Sequence, residues 1–176
     1  MLPQAKKSES EKKRMERQTP GPGQESVWDY PRPPHAEAVS RHITVIFNGE
    51  VIAETRRAIR VLETSHPPVY YIPIEDIRAE VLTRTRRSSF CEFKGTASYY
   101  TVAVGQKRAE NAAWFYPAPS PAFQTLKNYV AFYPSRMDAC YVDGEQVQPQ
   151  EGDFYGGWIT HEIVGPFKGG AGTTGW

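Results

Sequence analysis

Apolar and polar residues alternate with a period of two over many short stretches of this chain, which is the signature of half-buried β-strands. The first strong case is 42–47, followed by Asn48-Gly49 and a second β-rich run over 50–54. Asn-Gly between two such runs predicts a tight hairpin, because both turn positions require positive φ. The alternation of Ile59, Arg60 and Val61 predicts a strand over 57–63, ended by Pro67-Pro68. Further strands are expected at 69–72, 90–93, 97–104, 112–116, 129–133 and 137–142. Asp143-Gly144 then predicts a second hairpin leading into 145–147, with more strand at 154–155 and 158–164. One stretch has helical spacing instead. Ile74, Ile77 and Val81 recur at steps of three and four, with Glu75 and Asp76 in the first turn, which predicts an amphipathic helix over 74–82. A turn or two of helix is expected over 121–128, and 83–89 reads as a basic loop. The sum is a mainly β fold, a compact antiparallel two-sheet arrangement with one or two short helices.

Composition adds a boundary. The chain has 176 residues and a net charge of +1, yet none of its 22 aromatic residues precedes Trp28. Residues 1–26 carry six Lys/Arg against four Glu, leaving 15 basic and 16 acidic residues in 27–176. A leader without apolar surface cannot offset its ordering entropy, so 1–26 is expected to be a disordered basic tail and linker. Residues 27–176 are expected to form a single β-dominated domain. The segment from Trp28 to Pro34 reads as a proline-stiffened strap anchored by Trp28 and Tyr30. No apolar run is long enough for a membrane helix. Two cysteines do not make a disulfide framework, so reduced thiols and a cytoplasmic location are expected. A body with one excess negative charge is a poor ligand for nucleic acid, even though Arg56, Arg57, Arg60 and Arg84, Arg86, Arg87 form two basic groups.

Several strings in this chain are specific when taken together. They are Gly49-x-Val51-Ile52-Ala53-Glu54-Thr55, the continuous run from Val61 through Thr64-Ser65-His66-Pro67-Pro68 to Pro73, and Cys91-Glu92-Phe93-Lys94-Gly95-x-Ala97-x-Tyr99-Tyr100. Ala113-Trp114-x-Tyr116-Pro117 and Tyr129-x-Ala131-Phe132-Tyr133 follow in order. This pattern resembles the domain-of-unknown-function 427 family, closely over 40–145, with 152–176 similar to an extended C-terminal form. Glu54 and Glu92 stand where the family pattern has Asp and Pro. The resemblance implies a compact, mostly antiparallel β domain, related to β-tent or barrel-like folds. It brings a nucleotidyltransferase-like label but no settled activity.

The residues themselves narrow the chemistry. Nucleotidyl transfer needs Mg²⁺ on closely spaced carboxylates, and the sequence has no Asp-x-Asp. Zinc is not expected either, since Cys91 and Cys140 stand 49 positions apart without Cys-x-x-Cys knuckles. No metal site is therefore assigned, and the cofactor is left open. The glycine-rich run before Trp176 lacks the following helix of a phosphate loop and reads as an arm whose Trp176 docks back. Cys91 lies near Lys94 and the arginines of 84–87, which would activate a thiol if they are close in space. Cys140 reads as core. Tyr70/Tyr71 and Tyr99/Tyr100 each place neighbouring rings on opposite faces of a strand.

These points predict an aromatic-lined pocket between sheets that binds a small molecule. Its expected residues are Glu63, Tyr71, Cys91, Lys94, Tyr100, Trp114 and Trp158, with aromatic faces on a planar body and Lys94 and Glu63 on its polar end. The alternative is an enzyme in the same pocket, with Cys91 or Lys94 as nucleophile or Glu63/His66 as base. A third reading is a protein or nucleic-acid interaction module. The sequence leaves the oligomeric state open.

Overall fold

The computed structural model describes residues 16–152 and 154–176. Its strands are β1 (Glu25–Ser26), β2 (His35–Ala38), β3 (Ile43–Phe47), β4 (Glu50–Thr55), β5 (Ile59–Leu62), β6 (Val69–Pro73), β7 (Leu82–Cys91) and β8 (Gly95–Val104). They continue as β9 (Lys107–Phe115), β10 (Tyr129–Phe132), β11 (Ala139–Val142), β12 (Glu145–Gln146), β13 (Gln148–Pro149), β14 (Trp158–Ile159) and β15 (Ile163–Val164). A seven-stranded antiparallel sheet runs β2-β5-β6-β10-β9-β8-β7, and a four-stranded sheet runs β12-β11-β3-β4. Both sheets keep free edges, so the fold is mainly β and open rather than a closed barrel.

Both glycine hairpins form as the sequence requires. Asn48 and Gly49 join β3 to β4 with φ of 49° and 73°, and Asp143 and Gly144 join β11 to β12 with φ of 49° and 81°. A third tight turn, Gly105-Gln106 between β8 and β9, has Gly105 at φ 58°. It has no Asn-Gly or Asp-Gly signal, which is why β9 begins five residues before the strand expected at 112.

Three expected elements are corrected. The helix over 74–82 is two 3-10 turns, Ile74–Asp76 and Ala79–Val81, separated by extended backbone at Ile77. Ile77 bridges to Ala53, and the Arg78 N–H donates to the Ile52 carbonyl at 2.9 Å, so pairing with β4 overrides the helical spacing. The expected basic loop at 83–89 lies inside β7, a ten-residue edge strand. Its apolar alternation is absent because an edge rich in Arg and Ser guards against further pairing. Phe154 and Tyr155 are irregular, and only two short pieces of 158–164 are strand.

The two large sheets face each other across one apolar cluster. Ile43, Val45 and Phe47 of β3 meet Ile72, Val102 and Phe132 of the larger sheet, all at or near zero exposure. Each such side chain contributes about 1.5–3 kcal/mol by leaving water. Trp158 completes this cluster, tilted on Tyr70 at 5.2 Å and donating from Nε1 to the Phe132 carbonyl at 3.2 Å. Cys140 is core as expected, and burial pushes its thiol pKa up.

A smaller cluster ties the ends of the described chain together. Trp28 and Trp176 meet edge-on at 5.2 Å beside Val27, Tyr30 and Leu62. The Trp28 Nε1 donates to the Pro166 carbonyl at 2.9 Å. Structure also reaches ahead of residue 27. Gln18 exchanges hydrogen bonds with Gly165, β1 pairs with β15, and the Glu25 carboxylate accepts from Arg60 at 2.7 and 3.1 Å. The disorder expected of 1–26 is thus not seen at these positions, and for 1–15 it lies outside the described residues.

Candidate functional site

Register across the large sheet builds the site. Cross-strand partners project to the same face. Ile59 pairs with Tyr71, Tyr71 with Ala131, Ala131 with Trp114, and Trp114 with Tyr99. This row faces away from the four-stranded sheet and forms its own cluster with Tyr116 and Tyr133. A cavity of about 290 Å³ lies over it.

Three loops supply the walls. Lys94 sits in the turn between β7 and β8, held where the Ser120 N–H donates to the Lys94 carbonyl at 3.0 Å and the Ser120 hydroxyl to the Phe93 carbonyl at 2.5 Å. Glu63 and His66 come from the loop between β5 and β6, where Ser65 adopts φ 73°. The strap around Tyr30 braces that loop, since Thr64 and Ser65 donate N–H groups to the Pro31 and Val27 carbonyls. The third wall is the irregular stretch from Gln150 to Gly157, with Lys168 beside it. Tyr133 donates to the Phe154 carbonyl at 3.1 Å, and Tyr155 packs edge-on to His66 at 4.8 Å. Gly156 lies so close to the floor that a Cβ there would stand 2.3 Å from Trp114 Cη2. Two exposed phenylalanines, Phe90 and Phe154, flank the cavity.

Hydrogen bonding fixes the tautomer of His66. The Gln150 Oε1 accepts the Gly157 N–H at 3.1 Å, so its Nε2 is the donor. That Nε2 reaches the Lys168 carbonyl at 2.7 Å and His66 Nδ1 at 3.2 Å. His66 Nδ1 is therefore an acceptor, and the imidazole proton sits on Nε2, 3.6 Å from Glu63 Oε2. Burial pushes the His66 pKa down to about 3, with Lys168, Arg32 and Lys94 adding to the effect. The ring is thus neutral, with its Nδ1 lone pair taken by Gln150 and its proton on Nε2, which leaves no lone pair for a substrate proton. Burial disfavours the Lys94 ammonium, but Tyr71, Cys91 and Glu63 outweigh it and raise its pKa. Lys94 therefore stays charged at neutral pH and is a poor nucleophile. Tyr71 donates no charge either, since burial raises its pKa; its hydroxyl accepts from Trp114 Nε1 at 3.3 Å.

The structure brings Glu63, His66, Tyr71, Cys91, Lys94 and Trp114 to this one cavity. It leaves Tyr100 and Trp158 outside. Tyr100 pairs with Ala113, one residue out of step with the Trp114–Tyr99 pair, so it points to the opposite face and stacks on Phe115 at 4.4 Å. Tyr99 takes the place expected for Tyr100, with its hydroxyl 2.7 Å from Ser89 Oγ. Trp158 is sealed between the sheets. The cavity itself is not between the sheets, where apolar side chains fill the space, but on the outer face of the larger one. Gln150, Tyr155, Gly156 and Lys168 were not anticipated; they sit on irregular backbone that no periodicity marks. Of the basic groups, Arg60 is clamped by Glu25 and Glu37, Arg57 pairs with Glu75 and Asp76, and Arg84 lies over Phe115.

Fold and site together define an open two-sheet β domain with an aromatic, hydroxyl-rich cavity on its outer face. The chain belongs to the family described as Domain of unknown function (DUF427), whose model matches residues 35–143. The match spans β2 to β11 and so contains the cavity floor with Glu63, His66 and Lys94, while Gln150, Gly156 and Lys168 fall beyond it. No curated protein sequence matches the chain. Among the described residues no group of three or more His, Cys, Asp or Glu is placed to hold a metal ion. No helix among them is long and apolar enough to cross a membrane.

Proposed function

We propose that this chain binds a small molecule with a flat, largely apolar body in the cavity over Tyr71, Trp114 and Tyr99. The observation that carries the reading is the cavity itself: about 290 Å³ of space lined by aromatic rings with a few polar groups at one side. That composition is typical of small-molecule sites, and the volume sits at the low end of their ~300–1,000 Å³ range. The occupant is therefore a compact molecule of one or two rings, with Lys94 and Glu63 orienting its polar end. We read residues 27–176 as the single domain that carries this site.

Binding is favoured over catalysis by the geometry of the candidate groups. His66 has its Nδ1 lone pair engaged and Lys94 is held as an ammonium, so neither offers a base or a nucleophile in the resting site. Cys91 remains as the alternative nucleophile on the cavity wall. Native mass spectrometry of the purified chain tests the reading. A co-purified small molecule is expected on the native protein and not on a Val69→Trp variant, whose larger side chain takes up cavity volume. Cys91→Ala should hold that molecule within about threefold of the native affinity. Loss of more than tenfold, or turnover that depends on Cys91, would replace binding by thiol catalysis.

A further inference from the structure

The charged groups around the cavity differ in how they are paired, and that difference bears on what the occupant carries. Lys94 is only 9% exposed and makes no ion pair within 4.0 Å among the described residues. Its nitrogen has the Cys91 thiol beside it and lies 5.8 Å from the Phe123 ring centroid, partners that do not carry a full negative charge. It lines the cavity and meets open space there. A buried charge is retained at a cost unless something pairs with it.

The other charged groups of the cavity are largely committed. Glu63 faces Arg32 at 3.4 Å and His66 at 3.6 Å. Lys168 lies over the Tyr155 ring at 5.5 Å and reaches the Trp176 carbonyl oxygen at 3.3 Å. Arg87 sits over the outer side of the Tyr99 ring at 4.8 Å. Glu92 is exposed on the turn. Glu63, Glu92, Lys94 and Lys168 line the space, two of each sign, and of these only Lys94 is a buried charge without an ion pair.

We infer that the occupant is a monoanion, an aryl or alkyl carboxylate whose charged end pairs with Lys94 while its apolar body lies on Trp114 and Tyr71. This deepens the proposed binding function and rests on it. A carboxylate fits better than a phosphate. The cavity is lined by no arginine, and none of the five 3-10 turns among the described residues contributes a lining residue. Phosphate sites use arginine forks and helix N-termini to meet a second charge and a third oxygen. Here one ammonium meets one charge. The neutral hydroxyls of the floor, kept protonated by burial at Tyr71 and Tyr116, remain donors for a carboxylate oxygen.

Isothermal titration calorimetry with matched probes tests the inference on the full chain at pH 7. The probes are 2-naphthoate, 2-naphthamide and 2-naphthyl phosphate, which share one apolar body and differ in charge. Naphthoate should bind at least tenfold more tightly than naphthamide. That preference should fall below threefold in Lys94→Met and survive in Lys94→Arg. The comparison of probes on the native chain stands even if a variant fails to fold. Equal binding of naphthoate and naphthamide would overturn the charge assignment and leave the cavity reading intact. Tighter binding of the naphthyl phosphate would overturn the carboxylate class. Binding of none of the three would overturn the cavity reading itself, and the inference with it.

Discussion

The two faces of the seven-stranded sheet are made by the same strands and have opposite characters. Toward the smaller sheet, β6, β8 and β10 present Ile72, Val102 and Phe132 to a filled interior. On the other side the same strands present Tyr71, Tyr99 and Ala131, with Trp114 from β9. The first face is largely apolar, aliphatic residues mixed with Phe132 and Tyr70, and it is packed against the smaller sheet. The second carries phenolic hydroxyls, an indole N–H and a neighbouring ammonium, and it keeps a cavity. One backbone register sets both, since alternate residues must go to opposite sides. The tightly packed side chains are concentrated on the inner face, and the aromatic cavity lies on the outer one.

If that division is right, substitutions on the inner face carry the largest cost. Phe132→Ala should lose about 3–5 kcal/mol of unfolding free energy, because Phe132 has zero exposure and sits where both sheets and the Trp158 indole meet. Urea denaturation measures this directly. A loss below about 1 kcal/mol would mean that the interior can collapse around the gap and is not packed as described.

A pH titration separates the faces next. His66 belongs only to the outer face, and burial holds its native pKa at about 3 against the ordinary 6.5 of a histidine. The unfolded chain takes up a proton below about pH 6.5 and the native chain does not, so stability is complete above that pH and falls as pH decreases towards 3. The loss from this one ring is about 2 kcal/mol at pH 5. In His66→Gln that slope between pH 6.5 and 5 should disappear, because glutamine cannot titrate. Parallel stability curves for the two proteins would show that His66 gains its proton without unfolding anything.

Gly156 probes where the outer face meets its covering segment. A methyl group there must displace the Trp114 ring or the backbone of 154–157, given the 2.3 Å approach to Cη2. Gly156→Ala should cost about 1–2 kcal/mol, the low part of the range for overpacking. It should also speed proteolysis near Phe154 while leaving the inner face intact. Unchanged proteolysis and unchanged stability would mean that the segment does not rest on Trp114.

How much of this was legible before the structure depends on the kind of signal. Period-two alternation and the glycine dipeptides carried the strands and hairpins, and they put Tyr71 and Trp114 on strands where they could share a face. The choice between Tyr99 and Tyr100 was different. They are adjacent and chemically identical, flanked by Ser98 and Thr101, and only pairing with β9 decides which one joins Trp114. Glu63, His66 and Lys94 were visible as polar residues in turns beside aromatic strands. Gln150 and Gly156 were not, because their roles depend on an irregular chain crossing back over the sheet, and sequence spacing has no term for that. The failed helix over 74–82 has the same origin. Its spacing was real, but the bridge between Ile77 and Ala53 was worth more than a helix too short to be stable alone.

The smallest effect sharpens the contrast between the faces most finely. Tyr99 is 3% exposed, as buried as the residues of the inner face, yet its hydroxyl reaches Ser89 Oγ at 2.7 Å. Tyr99→Phe keeps the ring, its packing on Trp114's neighbour strand and the volume of the site. Only the hydrogen bond goes. Ser89 is partly exposed on the edge strand β7, so its hydroxyl regains a water partner and no buried donor is stranded. The expected loss is therefore about 0.5–1 kcal/mol, the net value of an ordinary hydrogen bond. It should register as a small shift of the urea midpoint with an unchanged slope. A loss near that of Phe132→Ala would show the phenol acting as a structural tie, and the outer face would then be a second core with a gap in it. A loss below 1 kcal/mol means that the hydroxyl is not there for stability, and that the polar character of this face has to be explained by what enters the cavity.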